Sequence, residues 1–410
     1  MLSTYDHSAT SPGLHSVVDS NFLSLPASRT TSTQGFNILF LIDQLVEMGG
    51  AELAMLRLIR SLPKYGIRPR VVTFKESLPD ALRASFPCPV TEIPISRTYG
   101  LSGLRAASRI RSLIISEHIG LVHTFFETSD LFGGLVVRTI PHVALVSSRR
   151  DMGILRNPKH RMAYRYMARM ADRVVTVSDR VRDWCIAEDR IEPERVVTVY
   201  NGVGDEDVVT PPEREESRQR LGLRRDQLLV SAIGHIRHIK GFDVMIEAAR
   251  IVVASHPEVV FLIAGGDHEK GRKAELEAQI RIANLEANFW LLGPQDNIGF
   301  ILAASDVFLL PSRSEGFSNA LIEAMMAGLP CVATDVGGNG EALAEGSTGY
   351  LVPSESPSSM ARALQLLLRS AHLRASMGRA GRHVALQKFT QATMAESMVA
   401  LYRQLVPKQN

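Results

Sequence analysis

Cysteine is scarce in this chain of 410 residues. Cys88, Cys185 and Cys331 are the three it has. They lie far apart and form no Cys-x-x-Cys pair, which argues against a disulfide framework or a cysteine-built zinc site and leaves reduced, buried thiols as the expectation. An excess of one charge is also lacking: 46 Lys and Arg stand against 43 Asp and Glu, a formal charge of +3. Nucleic acid is therefore not an expected partner, and a pI near 8.8 favours anionic partners only mildly. No apolar run approaches the ~18 residues of a spanning helix. The N-terminus has no basic stretch followed by an apolar core, so no secretory leader is read there and the expected place is the cytoplasm.

What is present is length and alternation. At a soft prior of ~150 residues per domain, the chain should fold as two domains. Residues 1–34 are rich in Ser, Thr and Pro without hydrophobic period and read as a disordered tail. From there, short β-rich runs alternate with helical stretches, the pattern of parallel sheets with crossover helices. Strands are expected at Asn37 to Ile42, Arg70 to Thr73, Leu121 to Thr124, Val143 to Ser147, Arg173 to Val177 and Val196 to Val199, within a first α/β domain over 35–204. Residues 205–218, with Pro211-Pro212 and clustered charges, read as a linker. A second α/β domain over 219–388 carries strands at Leu228 to Ile233, Val259 to Ala264, Phe289 to Leu292, Val307 to Leu310 and Cys331 to Thr334. Doubly wound sheets bind ligands at the carboxyl ends of their strands, so two of them facing one another enclose a cleft suited to a bulky anionic ligand.

The most informative stretch is Pro311-Ser-Arg-Ser-Glu-Gly-Phe-Ser-Asn-Ala-Leu-Ile-Glu323, a loop that follows an apolar strand and opens a helix. Gly316 permits close backbone approach, and the first-turn N–H groups around Phe317, Ser318 and Asn319 would bind a pyrophosphate at a helix N-terminus. A carboxylate at Glu315 could accept hydrogen bonds from sugar hydroxyls, and one at Glu323 could hold both hydroxyls of a ribose. Two glutamates also suggest a glycoside hydrolase, whose carboxyl groups stand ~5 to 9 Å apart. Eight residues of mostly helix rise by ~12 Å, which argues against it.

At this motif the chain resembles glycosyltransferase family 4, with the GT-B fold. The likeness runs from Gly35 onward and is strongest from Ser231 to Val352. It implies a retaining, metal-independent transferase that needs no cofactor and takes a UDP- or GDP-linked sugar as donor. Glu315 would face that sugar and Glu323 would grip the ribose. The loop of Ser-Ala-Ile-Gly-His-Ile-Arg-His-Ile-Lys-Gly-Phe-Asp243 supplies Arg237 and Lys240, cations that can stabilise charge growing on a departing diphosphate. Family members often carry arginine where this chain has His235, and Arg237 is expected to take that role.

Gly265 and Gly266, after a strand, resemble the segment near the nucleotide base. The stretch Asp335 to Glu341 resembles the phosphate-side loop. Gly49 and Gly50 resemble the glycine loop near the donor phosphates. On the acceptor side, His123 is kept but Phe125 stands where a second histidine is usual, and Glu127, Arg149 and Arg150 are further candidates. Arg149 and Arg150 would suit a phosphorylated or anionic acceptor.

A stretch over 159–171 repeats Arg161, Arg165 and Arg169 beside Met162, Tyr166, Met167 and Met170. This amphipathic helix either buries its methionines or rests on an anionic membrane, which would place the enzyme peripherally on the cytoplasmic face. The segment 389–405 should cross back to complete the first domain. The reading is a transferase acting on a glycan, lipid-linked or small-molecule acceptor in polysaccharide or glycoconjugate biosynthesis. Its rivals are a sugar phosphorylase of the same fold, for which Glu323 would be needless, and a non-catalytic nucleotide-sugar-binding subunit.

Overall fold

The run Asn-Ile-Leu-Phe-Leu-Ile forms strand β1 (Asn37–Ile42), in which five successive residues are buried. An unbroken apolar run of this kind is what a parallel strand covered on both faces requires. The computed structural model describes residues 35–95, 98–153, 158–204 and 214–406. The expected tail over 1–34 lies outside them.

Six further strands join β1: β2 (Arg68–Thr73), β3 (Val90–Glu92), β4 (Ile119–Phe125), β5 (Ala144–Arg149), β6 (Arg173–Thr176) and β7 (Val196–Thr198). They make a parallel sheet in the order β3-β2-β1-β4-β5-β6-β7. A second parallel sheet holds β8 (Leu229–Ile233), β9 (Val260–Ala264), β10 (Phe289–Gly293), β11 (Val307–Leu310), β12 (Cys331–Thr334) and β13 (Gly349–Val352), in the order β10-β9-β8-β11-β12-β13. The order reverses between β1 and β4 in the first sheet and between β8 and β11 in the second. Those two switch points are where a doubly wound sheet opens a crevice for a ligand.

Strands β3 and β13 are absent from the sequence expectation. Val90-Thr-Glu92 offers a single apolar residue, and Gly349–Val352 begins on a glycine directly after the turn-forming Gly346-Ser-Thr348. Of the expected linker, 205–213 lies outside the described residues. The helix Arg214–Arg220 begins within the remainder and docks on the second lobe: Arg214 bonds Asp306 at 2.7 Å and Arg218 donates to the carbonyl of Ala304 at 3.1 Å.

The chain crosses between the lobes twice, side by side. Val203 donates to the carbonyl of Phe389 and accepts from the N–H of Gln391, each at 3.0 Å. The helix Gln391–Leu405, capped by Thr390, then lies on the first lobe. Its Met394, Met398, Val399, Leu401 and Tyr402 join one apolar cluster with Ile38, Phe40 and Ile42 of β1. Each such burial contributes about 1.5–3 kcal/mol, which holds this helix to the first lobe although it follows the second in sequence. Among the described residues no helix is long and apolar enough to cross a membrane. Cys185 and Cys331 are buried free thiols and Cys88 is half-buried; burial pushes the Cys88 thiol up to about 11.

Candidate functional site

The loop after β8 and the loop after β11 bring Lys240 and Glu315 together. Lys240 Nζ donates to Glu315 Oε1 at 2.7 Å, and Ser312 Oγ donates to the same oxygen at 2.6 Å. The Glu315 side chain is largely buried, and a charge there requires such partners. Gly241 makes the approach possible. Its φ is +65°, and a Cβ on it would lie 2.0 Å from the carbonyl oxygen of Pro311. Beyond it, Arg313 bridges Asp243 and Glu355; despite burial, these bonds from Arg313 hold the Asp243 carboxyl down at about 2.

Arg237 is about half exposed, and among the described residues it pairs with no carboxylate of its own lobe. It faces Glu47 of the first lobe at 3.7 Å, and Glu47 also meets His268 Nδ1 at 2.9 Å. His268 packs on His235 with ring centroids 3.8 Å apart; burial, with a contribution from His268, lowers the His235 pKa below its usual range. Gly265 and Gly266 lie against this pair. A Cβ on Gly265 would meet the Gly234 carbonyl at 1.9 Å, and one on Gly266 would meet His268 at 2.8 Å.

The first lobe clamps the Glu315 loop. A Cβ on Gly316 would stand 1.9 Å from the carbonyl oxygen of Arg150. Phe317 is buried between Tyr200 and Phe389, with ring centroids at 5.1 and 5.2 Å, so its side chain packs the lobes together and only its backbone is available to a ligand. Ser318 caps the helix Asn319–Met326 by accepting from the N–H of Leu321. Asn319 accepts from Asn201 at 2.8 Å and donates to the carbonyl of Gly50 at 3.1 Å. Gly50, the first residue of the helix Gly50–Ser61, is thus in direct touch with the motif, Gly49 is the cap of that helix, and Glu323 pairs with Arg57 of the same helix. Glu341 caps another first-lobe helix, Asp179–Asp189, by accepting from the N–H groups of Asp179 and Arg180, each at 2.8 Å. That contact gives the Asp335 to Glu341 stretch an interlobe role.

Beside the acceptor candidates Glu127, Arg149 and Arg150 a cavity of 990 Å³ opens next to the first sheet. Its walls come from the first lobe and include Glu52, Lys75, Tyr99, Glu127, Arg149 and Arg150. Arg150 donates to Asn201 at 2.7 Å; burial pulls it down to about 10, so it stays charged near neutrality. Burial likewise raises the Glu52 carboxyl above its usual value. Arg149 borders the cavity but is 3% exposed. Its Nη1 is bound to Asp130 and Ser147 and its guanidinium lies over Tyr164, while among the described residues its buried Nε and Nη2 have no hydrogen-bond partner.

His123 does not reach the cavity. It is 1% exposed, with Nδ1 2.6 Å from the Tyr402 hydroxyl and Nε2 2.8 Å from Ser148 Oγ, and Phe125 packs on it in the core. It is packed within the scaffold, away from the cavity wall. Burial lowers its pKa to about 3. The unfolded chain protonates this group below about pH 6.5, the folded one only near 3, so stability is lost as pH falls through that window. His123→Leu is expected to flatten that acid slope. It should also cost about 2–4 kcal/mol at neutral pH, because two buried hydroxyls lose their partner. Calorimetry across the acid range reads both effects, and an unchanged slope would contradict a neutral buried imidazole.

The basic amphipathic stretch forms the helix Pro158–Ala168. Its apolar residues divide: Met167 and Tyr164 are buried, while Met162 and Tyr166 are exposed. Arg165 is bound to the carbonyl of Glu188 at 2.8 Å, and the side chain of Arg161 lies outside the described ones. Sequence reading missed Arg57, Glu47, Lys75 and Asn201. None sits in a motif, and their importance comes from which segments the fold sets opposite them. Among the described residues, no group of three or more His, Cys, Asp or Glu side chains is placed to hold a metal ion.

Two family models cover this geometry: residues 213–384 match the glycosyl transferases group 1 and residues 48–207 match Glycosyltransferase Family 4. A D-inositol 3-phosphate glycosyltransferase of Thermobifida fusca is 30% identical over 312 residues, 70% of this chain and 71% of the relative. Its namesake from Mycobacterium tuberculosis is 28% identical over 326 residues, 74% of this chain and 66% of the relative. Among solved structures, Anabaena HepE in complex with UDP superposes with a TM-score of 0.79 at 21% identity, covering 90% of this chain and 100% of that one. A glycosyltransferase from Rickettsia africae gives 0.82 at 17% identity, covering 91% and 100%. These structural likenesses establish the architecture of two facing Rossmann-like domains.

Proposed function

The chain belongs to the family 4, group 1 glycosyltransferases and has the GT-B fold, and on that premise we propose a retaining, metal-independent hexosyltransferase using a UDP- or GDP-linked sugar. The observation that carries the reading is the Lys240–Glu315 pair at 2.7 Å, set at the switch point of the second sheet where the cleft opens. The donor sugar lies over Glu315, and its diphosphate lies between Lys240, Arg237 and the start of the helix Asn319–Met326. As the glycosidic bond breaks, negative charge grows on the leaving phosphate. Fixed cations and helix-terminal N–H groups stabilise that charge without reorganising. The acceptor hydroxyl attacks from the face that the nucleotide leaves, and the departing phosphate takes its proton.

The acceptor lies in the first-lobe cavity. Lys75 and Arg150 there supply two cations, with carboxylates at Glu52 and Glu127 for hydroxyl groups. This chemistry favours a phosphorylated polyol or sugar, consistent with the name of the Thermobifida relative. Against the phosphorylase reading stands Glu323, a buried carboxylate of the second lobe for which inorganic phosphate has no use.

A thermal-shift screen with UDP, GDP, ADP and their sugar conjugates tests the donor. One nucleotide should stabilise the protein selectively, and Glu323→Ala should lose that stabilisation and raise the donor KM. Glu315→Ala should mainly lower turnover. Unchanged kinetics in both variants would overturn the assignment.

A further inference from the structure

Glu323 is held from the opposite lobe. It is 8% exposed, and its Oε1 accepts a bond at 2.9 Å from Nη2 of Arg57, a residue 266 positions earlier in the helix Gly50–Ser61. Arg57 is itself 4% exposed. Its Nη1 reaches toward the carbonyl of Gly202 at 3.5 Å. Gly202 directly precedes Val203, where the two interlobe crossings are bonded to each other. The guanidinium therefore links the carboxylate to the place where the chain crosses between the lobes. Glu47 and Arg237, which also meet across the cleft, are by contrast close to half exposed.

We propose that Arg57 is a positioning residue for nucleotide recognition: from the first lobe it fixes the Glu323 carboxylate in the orientation that receives the ribose hydroxyls. The proposal rests on the assignment of Glu323 to the ribose. A carboxylate offers about four acceptor sites, so the bond from Arg57 to Oε1 does not by itself prevent the group from receiving ribose hydroxyls. A buried glutamate without a cation is costly and free to seek other partners; a planar guanidinium holds both its charge and its direction. Because the pair sits beside the crossings, a turn of the lobes moves it little. The ribose site then stays formed in the open molecule, before the donor arrives. Binding of the nucleotide, nominally the work of the second lobe, becomes dependent on a first-lobe side chain.

The test compares binding of UDP and 2′,3′-dideoxy-UDP to the full chain by calorimetry, with GDP and its dideoxy form used instead if the thermal-shift screen selects guanine. Wild type should prefer the ribose form by roughly 10- to 100-fold, the range for bonds to a charged group. Glu323→Ala should bind both forms alike. Arg57→Met should weaken the ribose form about 10-fold or more, leave the dideoxy form within about threefold, and raise the donor KM with little change in kcat. Arg57→Lys should recover part of the preference. If Arg57→Met does not fold, Arg57→Gln is read in the same way.

A variant that melts lower yet keeps the full ribose preference would reduce the pair to a structural tie and overturn the proposal, while the Glu323 assignment stands. A ribose preference that survives Glu323→Ala, or none in wild type, would overturn the assignment itself and the proposal with it.

Discussion

Lys240→Ala is expected to lower turnover about 10³-fold, at the upper end of what removing one preorganised charge-stabilising group costs. Two contacts set this expectation apart from that for its neighbour. Lys240 is partly buried and bound to Glu315 at 2.7 Å, so the substitution removes the cation that the proposed donor pose sets beside the leaving group and also leaves a largely buried carboxylate without its cation. Arg237 is about half exposed, and its carboxylate neighbour Glu47 is 3.7 Å away. Screening by water weakens a cation in that position, and Arg237→Ala should cost about 10-fold or less. Single-turnover kinetics at saturating donor separates the two variants. Equal losses would mean that the diphosphate rests on Arg237 as firmly as on Lys240, and the charge assignment would have to be redrawn.

Gly316→Ala should act on the other side of Glu315. The added Cβ would stand 1.9 Å from the carbonyl oxygen of Arg150, and that oxygen belongs to the backbone of the first lobe, which cannot swing aside as a side chain can. The variant relieves the overlap by moving the lobes apart. A displacement of about 1 Å between reacting groups is enough to cost about 10²-fold in rate. The expected result is a loss of that size in kcat/KM with each lobe still folded, read by steady-state kinetics beside circular dichroism and small-angle scattering. Full activity in Gly316→Ala would show that the clamp seen here is not the catalytic arrangement.

Both predictions concern a motif that stands out in the sequence, and most of the fold does too. The runs Asn37 to Ile42, Val307 to Leu310 and Cys331 to Thr334 end where their strands end, because a parallel strand buried on both faces leaves a continuous apolar signature. The strand Val90–Glu92 escapes because it offers a single apolar residue, and Gly349–Val352 because it begins on a glycine directly after the turn-forming Gly346-Ser-Thr348. At the site, Lys240, Glu315 and Asn319 are legible because each belongs to a segment that follows a strand and opens a helix. The acceptor candidates were harder to sort. His123 and Arg149 lie at strand ends facing the expected rim, yet one is locked to Tyr402 and Ser148 and the other to Asp130, while Arg150 borders the cavity and stays charged. Neighbouring residues on a strand point to opposite faces, and sequence alone does not say which face a given rim residue takes.

The amino-acid sequence by itself determined the two parallel sheets, the family, and the local chemistry of the donor loop, since strand periodicity and a helix-opening motif depend on residues close together along the chain. Only the tertiary structure decided which groups complete that loop. Arg57 meets Glu323, the carbonyl of Arg150 lies against Gly316, and Glu341 caps the helix Asp179–Asp189 across intervals of more than 150 residues. Such contacts are set by how two finished sheets face each other, and burial and charge pairing at that interface leave no periodic trace in either segment.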